Sequence, residues 1–142
     1  MYRITIDRSK CIGCLTCVTA CIVSHESDSS DSRNRVVIDS ETRPAPIFCR
    51  HCTRPECVYT CMTGAMHKNP VTGYVEYDKK QCASCYMCIM SCPYGVLKYD
   101  RLRQKEILKC NMCVHRNADG SPNPMCVEKC PMHAITLTEV NA

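Results

Sequence analysis

Sixteen cysteines fall into four groups of four along the 142 residues, with none left over. The first group is Cys11-x2-Cys14-x2-Cys17-x3-Cys21, and the second is Cys49-x2-Cys52-x4-Cys57-x3-Cys61. The third, Cys82-x2-Cys85-x2-Cys88-x3-Cys92, runs into Pro93; the fourth, Cys110-x2-Cys113-x12-Cys126-x3-Cys130, runs into Pro131. Cysteine at this density either cross-links a chain or binds metal. One of the two is needed here, because Leu, Ile, Val and Phe together number only 26. That falls below the roughly 20% at which aliphatic burial begins to support a core. The 45% hydrophobic content is carried instead by 16 Cys, 8 Met and 7 Tyr.

Compartment separates the two options. The start, Met1-Tyr-Arg-Ile-Thr-Ile-Asp7, has neither an apolar export core nor a twin-arginine pair, so a cytoplasmic chain with reduced, metal-binding thiols is expected. Export on a partner's signal stays open. No apolar run approaches the ~20 residues of a membrane span, so no direct span is expected.

The spacing narrows the metal. Three cysteines at x2 intervals let a tight loop curl around one [4Fe–4S] cluster and reach three of its irons. The x3 step puts the fourth cysteine one helical turn on, facing a second cluster, as in the bacterial two-cluster run C-x2-C-x2-C-x3-C-P. The third group fits that run completely, and the first fits all but the proline. Zinc prefers two C-x2-C pairs separated by a longer stretch. The fourth group alone could pass as half of such a site, which leaves a structural zinc-binding module as a distant alternative; a disulfide framework is weaker still. Four clusters are therefore expected, with sixteen cysteine ligands to iron.

The formal charge of +4 assumes neutral thiols. Each thiolate-ligated cluster contributes about −2, which carries the total to about −4. The basic residues then offset cluster charge, and no nucleic-acid partner is expected.

The flanks repeat as well. Alternating segments, Arg3-Ile-Thr-Ile-Asp7 and Tyr74-Val-Glu-Tyr-Asp78, precede the first and third groups. Apolar segments at Gly64–Met66, Gly95–Leu97 and Ala134–Leu137 follow the last cysteines of the second, third and fourth groups. The repeating unit reads as strand, cysteine loop, short helix, turn, strand, with edge hairpins capping the clusters. Asn69-Pro-Val-Thr-Gly73 is a turn between strands at 64–68 and 74–78. Ser27–Asn34 reads as a polar surface loop, Val36–Ile38 as a strand, and Pro44–Pro46 as an extended approach to Cys49.

Other side chains are assigned modest roles. His25 and Glu26 read as a helix end. His51 and His115, inside their groups, are placed to hydrogen-bond a sulfur. Met87 and Met90 are expected to pack on cluster faces. No phosphate loop, flavin or nicotinamide fingerprint or paired carboxylate suggests catalysis, so the chain reads as an electron carrier and not an enzyme.

As a whole the four groups resemble the four-cluster iron–sulfur subunits of the dimethyl-sulfoxide-reductase type, which serve molybdenum and tungsten oxidoreductases, formate dehydrogenases and hydrogenases. Within that family, Cys57-Val-Tyr-Thr-Cys61-Met-Thr-Gly-Ala-Met66 and Cys82-Ala-Ser-Cys85-Tyr-Met-Cys88-Ile-Met-Ser-Cys92-Pro-Tyr-Gly95 are similar to the small subunit that accompanies carbon monoxide dehydrogenases. The electron-carrying subunit of some tungsten aldehyde oxidoreductases is similar too. Met62 stands where many relatives have proline, and Ser84 stands where Gly13 stands in the first group. A minimal version, without the long insertions and C-terminal anchor of membrane-bound relatives, is expected.

The resemblance implies a ligand pairing. Cys11, Cys14, Cys17 and Cys130 would hold one cluster, and Cys110, Cys113, Cys126 and Cys21 its neighbour. Cys49, Cys52, Cys57 and Cys92 would hold a third, and Cys82, Cys85, Cys88 and Cys61 the fourth. The fold class implied is α+β, a single four-cluster unit over 1–142 built of two nested bacterial-ferredoxin-like modules with short hairpins and short helices. Module one would comprise 1–25 with 106–142, module two 45–105, and 26–44 would be a loop-and-strand insertion. The implied function is electron relay between a catalytic oxidoreductase subunit, carbon monoxide dehydrogenase first, and a second redox protein: a flavoprotein, ferredoxin or hydrogenase.

Overall fold

The computed structural model describes residues 2–25, 32–100 and 106–139. Its regular elements are short and come in a repeating order. Strand β1 (Tyr2–Ile6) leads to helix α1 (Thr16–Ser24), then β2 (Arg35–Ile38), β3 (Pro44–Ile47) and α2 (Glu56–Tyr59). Strands β4 (Met66–Lys68) and β5 (Val75–Tyr77) precede α3 (Met87–Ser91); β6 (Lys98–Asp100) and β7 (Glu106–Leu108) precede α4 (Met125–Lys129) and β8 (Ile135–Glu139). The architecture is α+β, with short helices and antiparallel two-stranded hairpins.

Among the described residues each sheet has two strands. β1 pairs with β8, joining the two ends of the chain, with Tyr2 opposite Glu139 and Ile6 opposite Ile135. The other pairs, β2–β3, β4–β5 and β6–β7, are sequence neighbours. The expected turn at 69–73 connects β4 to β5, and Asn69 holds it by accepting from the N–H groups of Val71 and Thr72 at 2.8 and 3.2 Å. Pro44–Pro46, read as an extended approach, is a strand, with Pro46 opposite Val36 and Pro44 opposite Ile38. Every strand of a two-stranded sheet is an edge strand, so proline's missing N–H is tolerated. The segment Gly95–Leu97 stays outside the sheets: Val96 and Leu97 are buried, and strand pairing begins at Lys98.

Two apolar clusters form among the described residues. Met66, Val75, Leu97 and Ile107 make the first, ringed by Cys57, Cys61, Cys82, Cys88 and Cys92. Phe48, Cys126 and Ile135 make the second, with Ile4, Ile6, Cys17 and Cys130 around it. Helix α1 packs on α4 and α2 on α3. Cysteines thus supply much of the interior that aliphatic residues supply elsewhere.

The polar segment before β2 departs from the surface-loop expectation. Residues 27–31 lie outside the described residues, but Ser32 and Asn34 are buried. Lys98 Nζ donates to the carbonyls of Ser32 and Asn34 at 3.1 and 2.9 Å, and Asn34 Nδ2 donates to the Cys17 carbonyl at 3.2 Å. These bonds compensate the burial of the two carbonyls and of Asn34 Nδ2, while Asn34 Oδ1 is buried without a partner among the described residues. Of the helix-end pair, His25 caps α1, its N–H donating to the Cys21 carbonyl at 3.2 Å; Glu26 is outside the described residues.

Candidate metal centres

The four cysteine groups build the same local structure. The residue just before each second cysteine is left-handed: Gly13 (φ 72), His51 (φ 45), Ser84 (φ 56) and Met112 (φ 58). This bend folds the backbone around the first cysteine, so the N–H groups of Ser84 and Met112 approach Cys82 and Cys110 Sγ at 3.4 Å each. Glycine takes the conformation without a Cβ penalty; at the other three positions strain of order 1–3 kcal/mol is stored and held by the surroundings.

The third cysteine is the second residue of a helix in every group: Cys17 on α1, Cys57 on α2, Cys88 on α3 and Cys126 on α4. Where the spacer is x2, the helix is entered through a left-handed residue, Leu15 or Tyr86. Where it is x4 or x12, the entry is an extended proline, Pro55 or Pro124. The fourth cysteine follows one turn later. Three groups then reverse direction through a left-handed residue, Gly64, Gly95 or His133. The first group has Ser24 at that position and continues as helix to its end.

The thiols gather around cavities. One is lined by Cys11, Cys14, Cys17 and Cys130, under Ile12, Leu15 and Met132. A second is lined by Cys61, Cys82, Cys85 and Cys88, beside Tyr77 and Tyr86. A third is lined by Cys49, Cys52, Cys57 and Cys92, together with Lys109. Of the remaining four, Cys21, Cys113 and Cys126 are buried, and Cys110, Cys113 and Cys21 all act on the charge of Cys126.

Electrostatics show what these sets lack. Burial pushes the Cys17 and Cys57 thiols up to about 11 and Cys110 up to about 12, and neighbouring thiols push further in the same direction. Cys126 is raised too, first by desolvation and then by its thiol neighbours. Cys61 goes the other way, to about 7: its burial is outweighed by hydrogen bonding from Met66 N–H, at 3.4 Å, and from Thr63. Gathered thiolates are stable here only around a cationic core. Among the described residues no three Cys, His, Asp or Glu donors converge tightly enough for a single metal ion. The thiols line the walls of cavities, which suits a cubane whose four irons stand at alternate corners and each take one thiolate.

The sulfurs receive further donors. Arg33 N–H points to Cys21 at 3.3 Å, Ser24 Oγ to Cys113 at 3.2 Å, and Lys109 Nζ to Cys49 at 3.0 Å. The histidine expectation is corrected. His51 accepts from Val75 N–H through Nδ1 at 3.1 Å, and its buried Nε2 has no partner among the described residues. His115 Nε2 lies 2.8 Å from the Ser24 carbonyl. The histidine facing a sulfur is His25, whose Nε2 lies 4.0 Å from Cys113; burial beside Arg33 and His115 depresses its pKa to about 3, so it is neutral. The expectation for Met87 and Met90 is also corrected: they are 40% and 69% exposed, and the fully buried methionines are Met66 and Met112. Lys109 and His25 carried no sequence signal beyond their closeness to a cysteine.

Comparison with known proteins gives the frame. The 4Fe-4S dicluster domain matches residues 40–140, which take in the second, third and fourth groups. A 4Fe-4S binding domain matches residues 3–25, which take in the first. The chain is 34% identical to the B subunit of the anaerobic dimethyl sulfoxide reductase of Escherichia coli K12, over 99% of this chain and 74% of that subunit. It is 31% identical to the electron transport protein HydN of the same organism, over 97% and 88%. Among solved structures, the active site complex BamBC of benzoyl coenzyme A reductase with benzoyl-CoA is similar, with a TM-score of 0.51 and 29% identity over 97% of this chain and 79% of that one. Four repeats of one cysteine-loop design thus fall within two iron–sulfur domain matches, and the chain belongs to the 4Fe-4S dicluster family as a non-catalytic electron carrier with four [4Fe–4S] clusters.

Proposed function

We propose that the chain relays electrons through its four clusters between a catalytic oxidoreductase and a second redox protein, a flavoprotein, ferredoxin or hydrogenase. Cys11, Cys14, Cys17 and Cys130 hold one centre, and Cys110, Cys113, Cys126 and Cys21 the next. Cys49, Cys52, Cys57 and Cys92 hold the third, and Cys82, Cys85, Cys88 and Cys61 the fourth. The observation that carries this reading is the lining of three cavities, each by three cysteines of one group and the last cysteine of another.

The same reading divides the chain into a module of 1–25 with 106–142 and a module of 45–105, with 26–44 between them. Pairing of β1 with β8 and packing of α1 on α4 support the first; packing of α2 on α3 supports the second. When bound, the clusters supply one-electron chemistry that no side chain here provides. The protein's part is spacing, exclusion of water and placement of donors on sulfur. The centres follow in the order of groups one, four, two and three, because Cys49 acts on the charge of Cys110 and Lys109 Nζ bonds both Cys49 Sγ and the Cys110 carbonyl.

Among the described residues no helix is long and apolar enough to cross a membrane, and we place the relay in the cytoplasm. The similarity of residues 57–66 and 82–95 makes carbon monoxide dehydrogenase the first catalytic partner to test. Tungsten aldehyde oxidoreductase follows, then formate dehydrogenase and hydrogenase. Oxidised protein is mixed with each enzyme and its substrate, and bleaching of the visible absorption is followed. Fast bleaching with carbon monoxide and its dehydrogenase is expected. Clusters that stay oxidised there, but bleach with an aldehyde and its oxidoreductase, would replace the first partner by the second.

Metal content is a separate expected outcome. Protein purified without oxygen should contain about 16 iron and about 16 sulfide per chain, four of each for every cluster. About four zinc with no visible absorption would overturn the cluster reading.

A further inference from the structure

Lys109 is buried, 2% exposed, at the place where the two halves meet. Its ammonium donates to Cys49 Sγ and to the Cys110 carbonyl, both at 3.0 Å. It also lines the cavity of Cys49, Cys52, Cys57 and Cys92. Its own carbonyl accepts from Arg33 Nη1 at 2.8 Å, and the Arg33 N–H donates to Cys21 at 3.3 Å. The ammonium is therefore pinned between a ligand of one half and the backbone of a ligand of the other.

Burying an ammonium is costly unless an anion and hydrogen bonds compensate it. Among the described residues no carboxylate pairs with Lys109; the anion at hydrogen-bond distance is the Cys49 sulfur once it is a thiolate. Arg33 is tied to the Lys109 carbonyl and lies 3.8 Å from Glu106, while Glu76 and Glu106 share a cavity wall with Lys109 without pairing to it and the buried, neutral ring of His51 is close by. A thiolate on iron becomes more electron-rich when the cluster gains an electron, so a charge-assisted N–H···S bond strengthens on reduction.

We propose that Lys109 is a positioning and tuning residue at the crossing between the two halves: its charge on Cys49 stabilises the reduced form of the centre held by Cys49, Cys52, Cys57 and Cys92. This makes that centre the easier of the two at the crossing to reduce. The inference rests on the cluster assignment above. Reduction adds one electron to the centre, supplied in the experiment by dithionite through mediators.

The test is a redox titration of the holoprotein, followed by electron paramagnetic resonance that resolves the centres, for wild type, Lys109→Arg, Lys109→Gln and Lys109→Met. Lys109→Met should make the second-group centre at least tenfold harder to reduce at a fixed ambient potential, or about 59 mV lower for one electron. Lys109→Gln keeps a donor without the charge and should shift it the same way by a smaller factor. Lys109→Arg should stay within threefold, and the first-group centre should be unmoved in all of them. Wild-type holoprotein with ¹⁵N-lysine should also show a nitrogen hyperfine coupling on one reduced centre, lost in Lys109→Arg. Low iron in wild type would defeat the cluster assignment itself. Full iron with unshifted potentials in the charge-removing variants, or no nitrogen coupling in wild type, would overturn the role of Lys109 alone.

Discussion

Removal of iron is expected to abolish cooperative folding altogether. The regular elements cannot stand by themselves: helices of four to nine residues are far below the ~12–15 at which an isolated helix becomes marginal in water. Isolated two-stranded sheets are marginal too, and every sheet among the described residues has two strands. The apolar clusters that join them hold four and three fully buried residues, one of those a cysteine. Against this stands a backbone entropy cost of ~1–2 kcal/mol for every ordered residue. The thiols give no support of their own: burial and their neighbours hold Cys17, Cys57 and Cys110 protonated, and only a cationic core stabilises them gathered as thiolates. Ligation reverses each of these costs, so cluster binding free energy is folding free energy. Iron-free protein kept reduced should show no sigmoidal thermal transition by circular dichroism, whereas holoprotein should melt cooperatively. A cooperative melt of a fully cluster-free sample would show that apolar packing suffices.

The second large effect is expected from Cys21→Ala. Cys21 sits on α1 but is buried against the thiols of the fourth group: Cys113 acts on its charge, as Cys21 does on those of Cys110 and Cys126. The first-group loop, by contrast, shares its cavity with Cys130. Removing Cys21 should therefore cost the centre of Cys110, Cys113 and Cys126, about 4 of 16 iron. The signal of the Cys11, Cys14 and Cys17 centre should persist. Spectroscopy that separates the centres decides the matter. Loss of the first-group signal with the fourth-group signal intact would mean that the fourth cysteine serves its own loop.

How legible each feature is in the sequence depends on how far along the chain its cause lies. The spacing C-x2-C-x2-C-x3-C acts within a dozen residues, where bond geometry leaves few choices. The tight loop and the fourth cysteine a helical turn on follow from it, and so does the cluster type. The turn after Lys68 is similarly local, a matter of Asn69, Pro70 and Gly73. Even local reading misses the left-handed residues at His51, Ser84 and Met112, because none is a glycine and only the closed loop holds them there.

The ligands, the cofactor and the repeating unit are thus already present in the order of the residues. Which side chains face the sulfurs and the seam depends instead on the closed fold. Lys109 lies 60 residues from the Cys49 it donates to, and Ser24 lies 89 from Cys113. Lys98 reaches the buried Ser32 and Asn34 across more than 60 residues, where the sequence suggested only surface. Met90, by contrast, faces solvent although it stands two residues from a cysteine. Spacing directs a thiol because the chain connecting it to its neighbours is short. A donor from a distant segment is placed only when the whole chain has closed and burial has forced each remaining charge to find a partner.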